Sequence, residues 1–222
     1  MKQFRFIALS TLVLASVSAG ATQWVQIPNF MSGVSAIAPQ SQLTEKEAAG
    51  LRFMREEEKL ALDVYTKLAQ KWGANPFQNI AQSELSHANA VLALLTNYGI
   101  PDPAANLGPG VFKDKTLQKF YDDLIKAGSV SRVEALRVGA TIEDLDLNDL
   151  DDWLSVTTRP DIRRVYENLA RGSRIHLRSF VRALKNAGVT YKPVYISQEA
   201  FDKIISTPNE PGGPGGRGRP KG

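Results

Sequence analysis

The sequence predicts an all-α chain organised as a four-helix bundle, and three observations predict it. Apolar residues recur at alternating steps of three and four through four long segments, the period of a helix with one buried face. Hydroxyl residues stand three places before an acid at several segment starts, a pairing that satisfies free amides at a helix N-terminus. Glycine, asparagine or proline follows most of the segments, as expected where helices stop.

Helix A, about 44–72, begins at Thr44 with Glu47 three residues on, and Gly73, Asn75 and Pro76 end it. Its stripe is Leu51, Met54, Ala61, Tyr65 and Leu68. Helix B, about 77–98, carries Phe77, Ile80, Ala81, Val91, Leu94, Leu95 and Tyr98 and stops at Gly99 and Pro101. The long connection 99–130 contains Gly108-Pro109-Gly110 and a shorter amphipathic segment, Leu117 to Ala127. A connection of this length can cross from one end of a bundle to the other, so helices B and C are expected to run parallel. Helix C, about 131–150, starts at Ser131 with Glu134 and aligns Val133, Leu136, Ala140, Leu147 and Leu150. Helix D, about 159–187, follows Thr158 with Asp161, aligns Ile162, Tyr166, Leu169, Phe180 and Ala183, and ends at Gly188. "VTYKPVYIS" (189–197) is rich in strand formers, but it contains a proline and has no partner strand, so it is expected as an extended arm over the bundle.

The ends read differently. Lys2 and Arg5 precede an apolar run, Phe6 to Ala15, and the small residues "SAGA", the pattern of a secretory signal peptide over 1–21. Residues 22–43 form an extended lead-in, 44–207 the bundle and its arm, and 208–222 a Pro/Gly-rich basic tail expected to be disordered. The mature chain is thus expected outside the cytoplasm, periplasmic or extracellular, without a membrane span. It contains no cysteine, so no disulfide can form. The pI of about 9.3 comes from the ends, because residues 22–207 are formally neutral. No basic stripe interleaved with aromatics crosses the body, which sets nucleic acid aside as a main partner.

Each apolar stripe has a polar gap. The gaps are Glu58 in helix A, Glu84 and His87 in helix B, Glu143 in helix C with Asp146 one turn further, and Ser173 and His176 in helix D. Both histidines of the chain fall on stripes. Burying an unpaired carboxylate costs several kcal/mol or forces it to take up a proton, so three such groups need compensation, and a divalent cation supplies it. Carboxylate oxygen and imidazole nitrogen suit iron, manganese or zinc, and one glutamate can bridge two ions. Glu84 and His87, three residues apart, point the same way and can reach neighbouring coordination positions. The candidate ligands are therefore Glu58, Glu84, His87, Glu143 and His176, with Glu57 the alternative to Glu58 in the acidic triplet 56–58. The plainer alternative is a buried polar network without metal, with the acidic run after Ile142 a solvated face and Tyr65 a core aromatic.

Glu58 with Tyr65 seven residues later, "ELSH" at 84–87, Glu143 after a long crossover, and His176 together resemble the ferritin-like superfamily. In those proteins two helices give one glutamate each and two others a Glu-x-x-His motif each, all pointing inward. More narrowly, "REEEKLALDVY", "SELSHANAV", "VGATIEDLDLNDL" and "GSRIHLRSF" resemble a ferritin-like family of bacteria and archaea known as a domain of unknown function, over about residues 45–200. The resemblance implies a ferritin-like bundle with a mono- or dinuclear metal site. If iron or manganese binds there, oxidation of Fe(II) by oxygen or consumption of peroxide is the expected chemistry. One position departs from the pattern: Ser173 stands where the second Glu-x-x-His glutamate belongs. Asp146, Glu57 or water then supplies the missing oxygen, or the site holds one metal. The alternative function is a non-enzymatic helical protein that binds a partner at the cell envelope, and metal retention separates the two.

Overall fold

Six α-helices and no strand make up the regular structure of residues 43–73, 75–208 and 210, which the computed structural model describes. These are α1 (Glu45–Trp72), α2 (Phe77–Asn97), α3 (Lys115–Gly128), α4 (Arg132–Val156), α5 (Pro160–Asn186) and α6 (Gln198–Ser206). The expected signal peptide, the lead-in up to residue 42 and the tail from 211 lie outside the described residues. Among the described residues, no helix is long and apolar enough to cross a membrane.

Helix α1 packs along α2 and α4 along α5, while α1 also meets α4 and α2 meets α5. The shorter α3 leans on α1 and α4, and α6 on α5. The apolar stripes close on one another: Leu51, Met54, Leu136, Leu150, Ile162 and Leu177 are fully buried. Tyr65, Phe77 and Phe180 form a tilted aromatic group with centroids 5.3–6.5 Å apart. Such an aromatic group adds specific edge contacts to the burial of apolar area.

Two helix starts follow the expected chemistry. Thr44 and Glu47 make a reciprocal capping box at α1, and the Ser131 hydroxyl accepts from the Glu134 amide at α4. The third does not. Arg159 occupies the cap position of α5 without a side-chain bond, and Pro160 begins the helix. Thr158 instead donates its amide (2.9 Å) and hydroxyl (3.1 Å) to Glu47, 111 residues away. Glu47 therefore ties the start of α1 to the entry of α5. Although burial opposes its charge, these bonds and those from Thr44 outweigh it and hold the carboxyl at about 2, below its usual 4.5. A depressed folded-state pKa contributes stability above the unfolded value and loses it as pH falls through the folded one. The protein is expected to lose stability between pH 4.5 and about 2, and Glu47→Gln to flatten that slope in thermal melts measured across this range.

Helix α4 runs six residues past the expected end at 150. Asp151 and Asp152 look like a polar terminus in sequence, but Trp153 packs against Phe53, ring centroids 6.1 Å apart, and this contact carries the helix on. The segment after α5 has no strand, as expected for an arm, and Asp144 holds it down. This fully buried carboxylate accepts from the Tyr191 hydroxyl (2.9 Å) and from the amides of Val194 (2.5 Å), Tyr195 (3.2 Å) and Ile196 (2.9 Å). Beyond the arm lies α6, which the sequence reading did not anticipate, capped by Ser197 and docked through Phe201 and Ile204. Further along, Glu210 is clasped by the Arg174 guanidinium at 2.7 and 2.6 Å.

The crossover between α2 and α4 is fastened to α1. Arg55 pairs with Asp102, Lys59 donates to the Gly108 carbonyl, Asp63 accepts from the Gly110 amide, and Glu56 accepts from the amides of Lys113 and Asp114. Polar side chains of α1 are buried because this strap covers the side that a plain bundle would leave wet.

Candidate metal centre

Three consecutive glutamates on α1, all buried, point to three different places. Glu56 serves the crossover, Glu57 faces the acidic side of α4, and Glu58 faces His87 on α2. Glu58 thus stands on the His87 side of α1, and both Glu57 and Glu58 line the same small cavity.

The structure brings all five sequence-derived candidates together. Glu58, Glu84 and His87 form one group whose donor atoms lie within 4.8 Å of one another, and Glu84, Glu143 and His176 form a second. Glu84 belongs to both. Its Oε2 lies 2.7 Å from His87 Nδ1 and its Oε1 lies 2.7 Å from His176 Nδ1. The outer carboxylates complete each side, Glu58 at 3.4 Å from His87 Nδ1 and Glu143 at 3.5 Å from His176 Nδ1. The imidazole rings stack with centroids 5.6 Å apart.

The close approaches are not aligned as hydrogen bonds. Both histidine Nδ1 atoms, Glu84 Oε1 and Glu58 Oε1 are buried without an aligned hydrogen-bond partner, despite the 2.7 Å contacts. Buried polar atoms are nearly always paired, so this concentration of unpaired donor atoms calls for a third party. Carboxylate and imidazole donor atoms gathered within 4.8 Å of one another in each group fit a cation. These buried carboxylate and histidine groups could hold a metal ion. Glu57, Glu58, Glu84, Glu143 and Asp146, with Ala61 and Ile142, line a cavity of about 10 Å³, room for roughly one water-sized particle.

The electrostatics express the same crowding. Burial raises the Glu58 carboxyl to about 7, against the opposing pull of His87. Burial also raises Glu143, Asp146 and Glu57, and neighbouring carboxylates add to each. Glu84 is the exception: burial opposes its charge, but His176 and His87 outweigh it and hold the group below the usual carboxylate range. Burial disfavours charged imidazoles, yet the facing carboxylates raise His87 to about 11 and His176 to about 10. Without a cation, protons on the histidines provide the missing positive charge.

Tyr65 lies one helix over from Glu143 and donates its hydroxyl to Glu143 Oε1 at 2.6 Å, leaving Oε2 toward His176. Ser173 donates to the Asp146 carboxylate from α5. Gly172, beside it, is a residue the sequence reading missed. A Cβ there would stand 2.5 Å from His87 Cε1 and 2.6 Å from Nε2, so the missing side chain makes the space for the imidazole. No local pattern marks this glycine, because the group it accommodates comes from another helix. Asp63 and Arg174, open between supporting the site and the surface, serve the crossover and Glu210.

Comparison with known proteins agrees with the fold at the level of the whole helical unit. The chain is 51% identical over 174 residues to the uncharacterized protein MJ0754 of Methanocaldococcus jannaschii, covering 78% of this chain and 94% of that protein. The crystal structure of the hypothetical protein MJ0754 from Methanococcus jannaschii superposes with a TM-score of 0.76 at 50% identity, covering 78% of this chain and 98% of that one. Residues 47–208, which include every donor group described above, match the family described as an uncharacterized protein domain (DUF2202), and the chain belongs to that family.

Proposed function

We propose that the chain is a ferritin-like four-helix protein that binds two divalent metal ions, iron or manganese, on either side of Glu84. Glu58 and His87 complete one position, Glu143 and His176 the other. The observation that carries this reading is the environment of Glu84, whose two oxygens each face a histidine nitrogen at 2.7 Å without an aligned hydrogen bond at either. A carboxylate so placed is suited to bridge. Zinc suits the same donors but supplies no electrons.

Iron or manganese held by Glu58, Glu84, His87, Glu143 and His176 would supply the two electrons that, with two protons, reduce hydrogen peroxide to two water molecules, each ion passing from the 2+ to the 3+ state. The protein's own groups arrange the setting. Tyr65 fixes the orientation of Glu143, the near-complete burial of Glu58, Glu84 and Glu143 keeps bulk water away, and the carboxylates stabilise the higher positive charge. Lys2, Arg5 and the apolar run that follows support export, with a mature N-terminus at Gly20 or Thr22 that mass spectrometry of the secreted protein reads directly.

Elemental analysis and calorimetric titration test the central reading. Near two equivalents of Mn(II) or Fe(II) per chain are expected, and the Fe(II)-loaded protein is expected to consume peroxide. A well-folded protein that takes up neither ion contradicts the reading and leaves a helical binding protein with a structural polar network. Binding also carries a pH signature. The histidines hold protons up to about 10 and 11, so each ion must displace one, and apparent affinity should rise with pH between 6 and 8 by about tenfold per unit, more steeply below about 7 on the Glu58 side, where that carboxyl must also lose its proton.

A further inference from the structure

We infer that Asp146, aimed by Ser173, is a further metal ligand and supplies the fourth carboxylate of the two-ion site; this rests on the proposed function. The position at 173 carries a serine where the ferritin-like pattern has a glutamate, and the structure places a compensating acid on the neighbouring helix. Asp146 lies one turn from Glu143 on α4 and lines the same cavity as Glu58, Glu84 and Glu143. One of its oxygens is held by the Ser173 hydroxyl across the α4–α5 contact. The other, Oδ1, is buried without a hydrogen-bond partner, in a residue only 7% exposed. A side chain fixed at one oxygen and free at the other, inside an acidic cavity, is disposed to bind a cation.

Charge balance points the same way. Glu58, Glu84 and Glu143 bring three negative charges, and two divalent ions bring four positive ones, so one more carboxylate makes the buried assembly neutral. Glu57 lines the same cavity, but its neighbour is the Asp149 carboxylate, and no hydroxyl donates to it as Ser173 donates to Asp146. Serine at 173 is therefore a positioning residue: its hydroxyl lies within donor reach of the Asp146 carboxylate and of the Leu169 carbonyl at 3.0 Å, which anchors it to α5.

The test uses Mn(II) as probe, with the wild type, Asp146→Asn, Ser173→Ala and Glu57→Gln compared by calorimetric titration and electron paramagnetic resonance. The wild type is expected to bind two equivalents with a spin-coupled signal. Asp146→Asn keeps the side-chain shape and should weaken one equivalent by at least about tenfold and abolish the coupled signal. Ser173→Ala should shift the signal in the same sense, by about tenfold in affinity, while Glu57→Gln retains both equivalents. Thermal melts of the metal-free proteins separate structure from ligation: Asp146→Asn should melt no lower than wild type without metal, yet gain less on adding Mn(II). Two equivalents at wild-type affinity in Asp146→Asn overturn the inference while leaving the metal reading intact, as does loss of an equivalent in Glu57→Gln alone. A wild type that binds no Mn(II) or Fe(II) overturns both.

Discussion

Glu84→Ala is expected to remove both proposed metal ions at once. Every other proposed ligand serves one position, whereas Glu84 presents one oxygen to each. Its loss is expected to cut apparent Mn(II) affinity by more than about a hundredfold at both positions, since even groups that only support a ligand are worth about ten- to a hundredfold. His176→Ala, by contrast, should lose one equivalent and weaken the other. Removing the Glu84 carboxylate also leaves each imidazole with one facing carboxylate in place of two, Glu58 for His87 and Glu143 for His176, and breaking a buried pairing destabilises by up to about 3–5 kcal/mol. Glu84→Gln is the companion variant, because it keeps the volume of the side chain while removing its charge. Elemental analysis of both, beside a melt that reports folding, checks the result.

Gly172→Ala is the second large effect, and its direction opposes ordinary helix chemistry. In a helix interior, exchanging glycine for alanine normally stabilises by about 1 kcal/mol. Here the added Cβ would stand 2.5 Å from a ring carbon of His87, and that ring is confined by Glu58 and Glu84 on its other side. The imidazole must turn out of place, and overpacking of this kind costs about 1–3 kcal/mol. Mn(II) affinity on the His87 side is expected to fall by about tenfold or more, with the His176 side unchanged. In a His87→Ala background the same glycine substitution should be neutral or stabilising, and that double-mutant cycle assigns the effect to the contact with the ring.

The legible parts of the molecule were those in which one helix face carries the information. Leu51, Met54, Ala61, Tyr65 and Leu68 reveal the buried side of α1, and a carboxylate in that series is conspicuous whether or not its partners are known. The same logic reached Glu84, His87, Glu143 and His176, and the structure gathers these with Glu58 into two overlapping groups. Features that depend on another segment were not legible. Thr158 looks like a cap for its own helix until Glu47, far away in sequence, takes its donors. Asp144 belongs to an acidic run that reads as a solvated face, yet it is fully buried because the arm after α5 folds onto it. Glu56 and Glu57 are buried beside Glu58 because α1 is enclosed on several sides, which no single stripe conveys. Helix α6 had a local signal that went unread: Ser197 accepts from the Ala200 amide, and Phe201 and Ile204 share one face.

Anomalous diffraction from crystals of the Mn(II)-loaded protein tests the two-ion account most directly. The account predicts two anomalous peaks that share Glu84, one beside Glu58 and His87 and the other beside Glu143 and His176. Crystals of Mn(II)-saturated protein with no peak between these groups, or with manganese bound only elsewhere on the molecule, would contradict it.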